Sequence, residues 1–299
     1  MDAWIILTIA AAFLQNIRNG LQKSLSTLLT AEGAAYTRFV YGLPLAIVYW
    51  GFLKYFINEG ATWGISFWLY CCIGGVAQIL AMIFLLRAFA IRGFAIGTSY
   101  AKTETLQTIL FSIIILNETI TLMAFFGIVV SLIGVFFLSV IRTKLEIFNI
   151  LISLKEKTAV FGLTSAALLG LSAVSYRAAA LSMDSKSYLL AGGSTLMVTL
   201  LLQTILMTLY LLIMQKGQIT KVWDNRGKAM LVGLASMLGS VGWFTAMTLQ
   251  NAAYVRALGQ VEIIFTFLTS IIIFKEQFSK FEIYGALLII GGVILLLIG

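Results

Sequence analysis

The chain has 299 residues, of which 61% are hydrophobic and 11% charged, with a formal net charge of +8. A soluble domain of that length could not cover so much apolar surface with so few charges, so the composition specifies an all-α polytopic membrane protein. Short segments of alternating polarity, the mark of an outer-membrane barrel, are missing, and the absence of histidine removes Ser-His and Cys-His catalysis and imidazole metal sites.

Ten transmembrane helices fit the hydropathy, each long enough to cross about 30 Å of hydrocarbon. The first, 3–24, follows Asp2 rather than a basic region, so it reads as a retained span and not a signal peptide; it carries Gln15, Asn16 and Arg18. The second, 34–57, contains Pro44, the one proline, as a tolerated kink. The third, 67–89, holds Gln78 and the adjacent Cys71 and Cys72, which read as small buried hydrophobes. The fourth, 93–116, puts Tyr100, Lys102, Glu104 and Gln107 about halfway along an otherwise apolar run. The fifth is 119–141 and the sixth, with Arg177, is 159–181. The seventh is 188–214, and the eighth, 228–250, includes Trp243. The ninth, 252–274, carries Arg256, Gln260 and Glu262, and the tenth is 279–298. The longest connections are 142–158 and 215–227.

The basic residues lie mostly in short loops, where they orient the helices and do not point to nucleic acid. Connections after odd-numbered spans hold Lys23, Arg87, Arg92, Arg142, Lys144, Lys155, Lys157, Lys216, Lys221, Arg226, Lys228, Lys275 and Lys280, against Lys54 and Lys186 on the other side. That bias places both termini outside the cytoplasm.

An internal repeat organises the chain. Shifting residues 93–138 by 158 positions superposes Ala95 on Ala253, Glu104 on Glu262, Thr108 on Thr266 and Ser112–Ile115 on Ser270–Ile273. Glu118 then meets Glu276, Gly127 meets Gly285 and Gly134 meets Gly292, while Arg18 and Arg177 differ by 159. Two halves of five spans follow: 1–143 and 159–299, joined by 144–158. An odd number of crossings inserts the second half upside down, as an inverted repeat.

Charges at the midplane face a cavity or a protein partner. Glu104 and Glu262 form either structural ion pairs, with Arg18 and Arg177 respectively, or a water-accessible solute site. The groups without an echo are the better candidates for recognising an asymmetric solute: Lys102 aligns with Gln260, Arg256 with Thr98, and Gln107 with Phe265. Tyr100, Glu104 and Gln107 share a helix face, whereas Lys102 stands roughly 200° around the axis from Glu104. Arg18, Asn16, Gln78, Arg177 and Trp243 complete the candidate substrate-binding set. Glu118 and Glu276 read as structural pairing or capping groups at helix ends, and the paired glycines as sites of close helix packing, between halves or between two protomers of a homodimer.

The duplicated pattern Glu104…Glu118…Gly127…Gly134 and Glu262…Glu276…Gly285…Gly292, with Arg38-Phe39 entering the second span, resembles the EamA family of the drug/metabolite transporter superfamily. The resemblance implies a central cavity between the halves, alternating access, a small organic solute and cytoplasmic termini, the last at odds with the loop charges. Thr105 and Ile263 stand where the family commonly has a proline after the glutamate. The expected function is secondary transport of a small polar metabolite, an amino acid or other zwitterion, across the inner (plasma) membrane of a bacterium. A coupling proton or an exchanged solute supplies the energy, since no ATP-binding motif is present. The alternatives are an exchanger of anionic or nucleotide-like metabolites and, outside transport, a membrane scaffold or receptor. No enzyme activity and no cofactor or metal is expected.

Overall fold

The computed structural model describes residues 2–25, 28–57, 62–92, 100–143, 157–265 and 280–299. The first part of the fourth span, with Ala95 and Thr98, lies outside them. So do the end of the ninth span, with Thr266 and Ser270–Ile273, and the loop residues Lys144, Lys155, Lys275 and Glu276. The regular elements are helices: α1 (Ala3–Leu25), α2 (Ala31–Val40), α3 (Gly42–Ile57), α4 (Ile65–Arg92), α5 (Glu104–Leu116), α6 (Leu122–Thr143) and α7 (Lys157–Leu181). Then come α8 (Tyr188–Met214), α9 (Gln218–Asp224), α10 (Arg226–Leu249), α11 (Ala252–Leu258), a 3-10 turn (Gly259–Val261) and α12 (Lys280–Ile298).

Among the described residues, five helices are long and apolar enough to cross a membrane: Ala31–Ile57, Ile65–Leu85, Ala159–Leu181, Tyr188–Met214 and Arg226–Leu249. Glu104–Leu116, Leu122–Val135 and Ile283–Ile298 are shorter apolar helices. Helix α1 has the length of a span, but Gln15, Asn16, Arg18 and Asn19 dilute its apolar character. Helices α2 and α3 make one crossing interrupted at Tyr41. Pro44 lacks the N–H that would reach the Val40 carbonyl, so a ladder bond is missing across that bend.

The helices gather into two compact units, each taking helices from both halves of the sequence. The first unit comprises residues 1–76 and 175–250. In it α1 packs against α10 through small residues: a Cβ on Gly242 would stand 2.9 Å from both Ala11 Cβ and Leu7 O. Lipid tails are as apolar as leucine, so such close backbone approach, rather than hydrophobic burial, holds membrane helices together. Phe67 and Cys71 of α4, Ala179 and Ala180 of α7, and Ala191, Met197 and Val198 of α8 form an apolar cluster.

The second unit comprises residues 77–174 and 251–299. Its closest packing joins α6 to α12. A Cβ on Gly127 would meet Gly292 O at 2.6 Å, and one on Gly134 would meet Gly285 O at 2.7 Å. The two glycine pairs legible in the sequence thus meet each other.

Candidate functional site

The chemistry-bearing residues of the second unit stand at two interruptions in helices. Tyr100 and Ala101 are helical, Lys102 and Thr103 form a turn, and α5 starts afresh at Glu104. Thr103 makes the turn: its N–H and hydroxyl both donate to Tyr100 O, at 3.1 and 2.7 Å, while its carbonyl accepts from Leu106 N and Gln107 N. Gln107 Nε2 folds back to donate to Thr103 Oγ1 at 3.1 Å and to Leu163 O at 3.4 Å. The fourth span is therefore broken at its charged centre and not continuous. The second interruption is the 3-10 turn Gly259–Val261, after which residues 262–265 are helical again. Glu104 and Glu262, aligned by the repeat, each begin a helical segment. No proline is needed for either break.

These breaks bring together residues far apart in sequence. Gln260 Nε2 donates to Thr105 Oγ1 at 2.9 Å, and Ser131 Oγ donates to Gln260 Oε1 at 3.0 Å. All three are buried, so the amide is held from both ends. An Arg256 Nη1 lies 3.7 Å from Glu104 Oε1, both side chains about one-seventh exposed. That separation exceeds a hydrogen bond, so the pair is coulombic contact without a fixed bond. The ion-pair partner of Glu104 is thus Arg256, the cation without an echo in the first half, and not Arg18. Glu262 is buried at 9% exposure. Half-buried Lys102 makes no hydrogen bond or ion pair with a described residue. Tyr100 is buried against Ala159 and Leu163, and Gln78 is half-buried on the same unit's part of α4.

In the first unit, Arg177 Nη1 donates to the carbonyls of Met247 at 2.6 Å, Thr248 at 3.2 Å and Gln250 at 2.7 Å. These are the carbonyls a helix end leaves unpaired, and a cation there also suits the negative pole of α10. Arg177 accordingly clasps a helix terminus. Its repeat partner Arg18 is half-buried and donates to Asn19 Oδ1 at 2.8 and 3.2 Å. Trp243 Nε1 donates to Gln15 Oε1 at 3.1 Å, and Asn16 is half-buried beside it in sequence on α1.

The EamA-like transporter family model matches residues 157–298. The chain is similar to this family over that C-terminal stretch, just under half of its length. No curated protein matches the chain. A solved crystal structure, described only as that of a protein, aligns over 98% of this chain and 95% of its own with a TM-score of 0.73 at 14% identity. A likeness at that identity concerns the fold alone. The likeness to a transporter family and the long apolar helices together mark an integral membrane protein. The EamA-matched half supplies Arg256, Gln260 and Glu262; their partners Glu104, Thr105 and Ser131 come from the other half.

Sequence reasoning missed Thr105, Ser131 and Thr103, ordinary residues in apolar helices whose roles depend on contacts. It also missed a buried network in the first unit: Tyr176 Oη donates to Gly74 O at 3.0 Å, and Gln203 Nε2 donates to Tyr176 Oη and Gly75 O, each at 3.3 Å. Gln203 was the one signal available, an amide in the middle of an apolar span.

Proposed function

We propose that the chain is a secondary transporter of a small zwitterionic metabolite, an amino acid above all, working by alternating access. What supports this reading is the pairing of Glu104 with Arg256 between two interrupted helices, with Lys102 in one break. Broken helices offer backbone groups and pole charges to a solute that unbroken ones keep satisfied. The solute carboxylate meets Arg256 or Lys102, its ammonium meets Glu104, and the long Glu104–Arg256 contact opens to admit both. Gln260 and Glu262 hold the second break. Ten spans in two inverted five-helix repeats accord with the 158-residue shift and with the reciprocal glycine contacts. The loop charges favour termini outside the cytoplasm of a bacterial inner membrane, a disposition a C-terminal reporter fusion tests.

Uptake of radiolabelled amino acids into proteoliposomes, with wild type and with Glu104→Gln, tests the assignment. Loss of one charge partner of the solute is worth about tenfold or more in uptake. Unchanged uptake in the variant removes Glu104 from the mechanism. An exchanger of anionic metabolites draws on a different observation, the cation Lys102 with no ion pair among the described residues. Competition by phosphate esters and not by amino acids selects that second reading.

A further inference from the structure

The connection between α8 and α10 does more than carry positive charge. Gly217 enters it with φ 85°, a left-handed turn that suits glycine, and α9 follows. Two residues fasten α9 inward: Gln218 and Val222 are buried. Gln218 Oε1 accepts from Thr30 N at 3.2 Å, and Thr30 Oγ1 donates to Gln215 Oε1 at 2.7 Å. The outer face is of another kind. Lys216, Lys221, Arg226 and Lys228 are all exposed, with Asp224 the single acid from 215 to 228. Among them Trp223 is 62% exposed, and the Arg226 guanidinium stands 5.7 Å from the centre of its ring. Arg226 Nη1 also donates to Trp223 O at 3.5 Å.

The helices on either side fix the depth of this surface. Both α8 and α10 are membrane-crossing by length and composition, so the connection lies where they leave the hydrocarbon. Leu212, Ile213 and Met214 at the end of α8, and Met230 and Leu231 near the start of α10, are exposed apolar residues just below it. A tryptophan at that level prefers the boundary between acyl chains and headgroups, and cations beside it attract anionic lipid. The repeat-equivalent loop around 58–64 contains Trp63 and Glu59 but no cation, so the property belongs to one side of the membrane. We propose that α9 and its flanks form a binding surface for anionic phospholipid headgroups, with Trp223 at the acyl boundary and Lys216, Lys221, Arg226 and Lys228 on the phosphates. The fastening through Thr30 keeps the surface preformed.

The full chain in detergent, titrated with phosphatidylglycerol or phosphatidylcholine while its unfolding midpoint is followed, tests this. Phosphatidylglycerol raises the midpoint and phosphatidylcholine does not. Each cation contributes about fivefold to lipid affinity, so Lys216→Gln/Lys221→Gln/Lys228→Gln weakens phosphatidylglycerol binding about a hundredfold. Lys157→Gln, at an exposed lysine elsewhere, leaves it unchanged. Brominated lipid quenches a smaller part of the tryptophan emission in Trp223→Phe than in wild type. Equal effects of the two lipids, an unaltered affinity in the triple variant, or unchanged quenching in Trp223→Phe overturns the proposal. Stabilisation by inorganic phosphate alone also overturns it, by showing a site for free anions.

Discussion

Gly292→Ala is the sharpest test of how the second unit is held together. The added methyl carbon would stand 2.5 Å from both Gly127 O and Ser131 N and 2.8 Å from Ser131 Cα. All three are backbone atoms of α6, and no side chain can swing away to make room. A carbon reaches an ordinary contact with a carbonyl oxygen near ~3.3 Å, so α6 and α12 must part by about 0.8 Å. That separation loosens Val135 and Ile289, which are packed together at 1% and 0% exposure. Overpacking of this sort costs about 1–3 kcal/mol, and rigid backbone on both sides puts it at about 2–3 kcal/mol. At 2–4 °C per kcal/mol for a chain of this size, the unfolding midpoint in detergent falls by about 4–12 °C. Gly291→Ala is the matched control: it is the adjacent residue on the same helix, with nothing within 4 Å of the new Cβ. Its midpoint stays at or slightly above wild type, because alanine is the better helix former. The Gly127→Ala/Gly292→Ala double variant loses less than the sum of its parts, since both methyls open the same gap. Equal midpoints for Gly291→Ala and Gly292→Ala would refute the crossing.

Two further substitutions probe the polar fastenings. Arg177→Ala frees three carbonyls at the end of α10 and costs about 2–3 kcal/mol, with Arg177→Lys recovering part of it. Hydrogen exchange should quicken in the last turn of α10 before it does in α8, and uniform acceleration would refute the clasp. Gln260→Leu strands the buried hydroxyls of Thr105 and Ser131 and costs about 2–3 kcal/mol. Adding Thr105→Val and Ser131→Ala removes the stranded groups and restores most of the midpoint; a triple variant as unstable as the single one contradicts the network.

The sequence predicts the span 188–214, and the structure has α8 over Tyr188–Met214, because an uninterrupted apolar run of that length has one outcome in a membrane. The glycines at a spacing of seven also announced close packing, although which helices they join was not written in either helix alone. The interruption at Lys102–Thr103 was not legible. Glycine or proline would have marked it, and here a threonine bonded back to the preceding turn makes the break. Gly259 does open the second interruption, yet a lone glycine in a membrane helix more often means packing than a turn. The Glu104–Arg256 pair escaped because the repeat directs attention to matched residues, and Arg256 aligns with Thr98. Partners 152 positions apart (256 − 104) leave no local pattern.

The glycine contacts also have a symmetry of their own. Gly127 touches Gly292 and Gly134 touches Gly285, while the sequence shift equates Gly127 with Gly285 and Gly134 with Gly292. Each contact is therefore the image of the other under the repeat, the signature of a surface complementary to itself. One helix pattern with two glycines seven apart therefore supplies both sides of the interface. Within one chain the crossing rests on four separate positions, so a substitution at one glycine spoils its own contact and leaves the image contact standing.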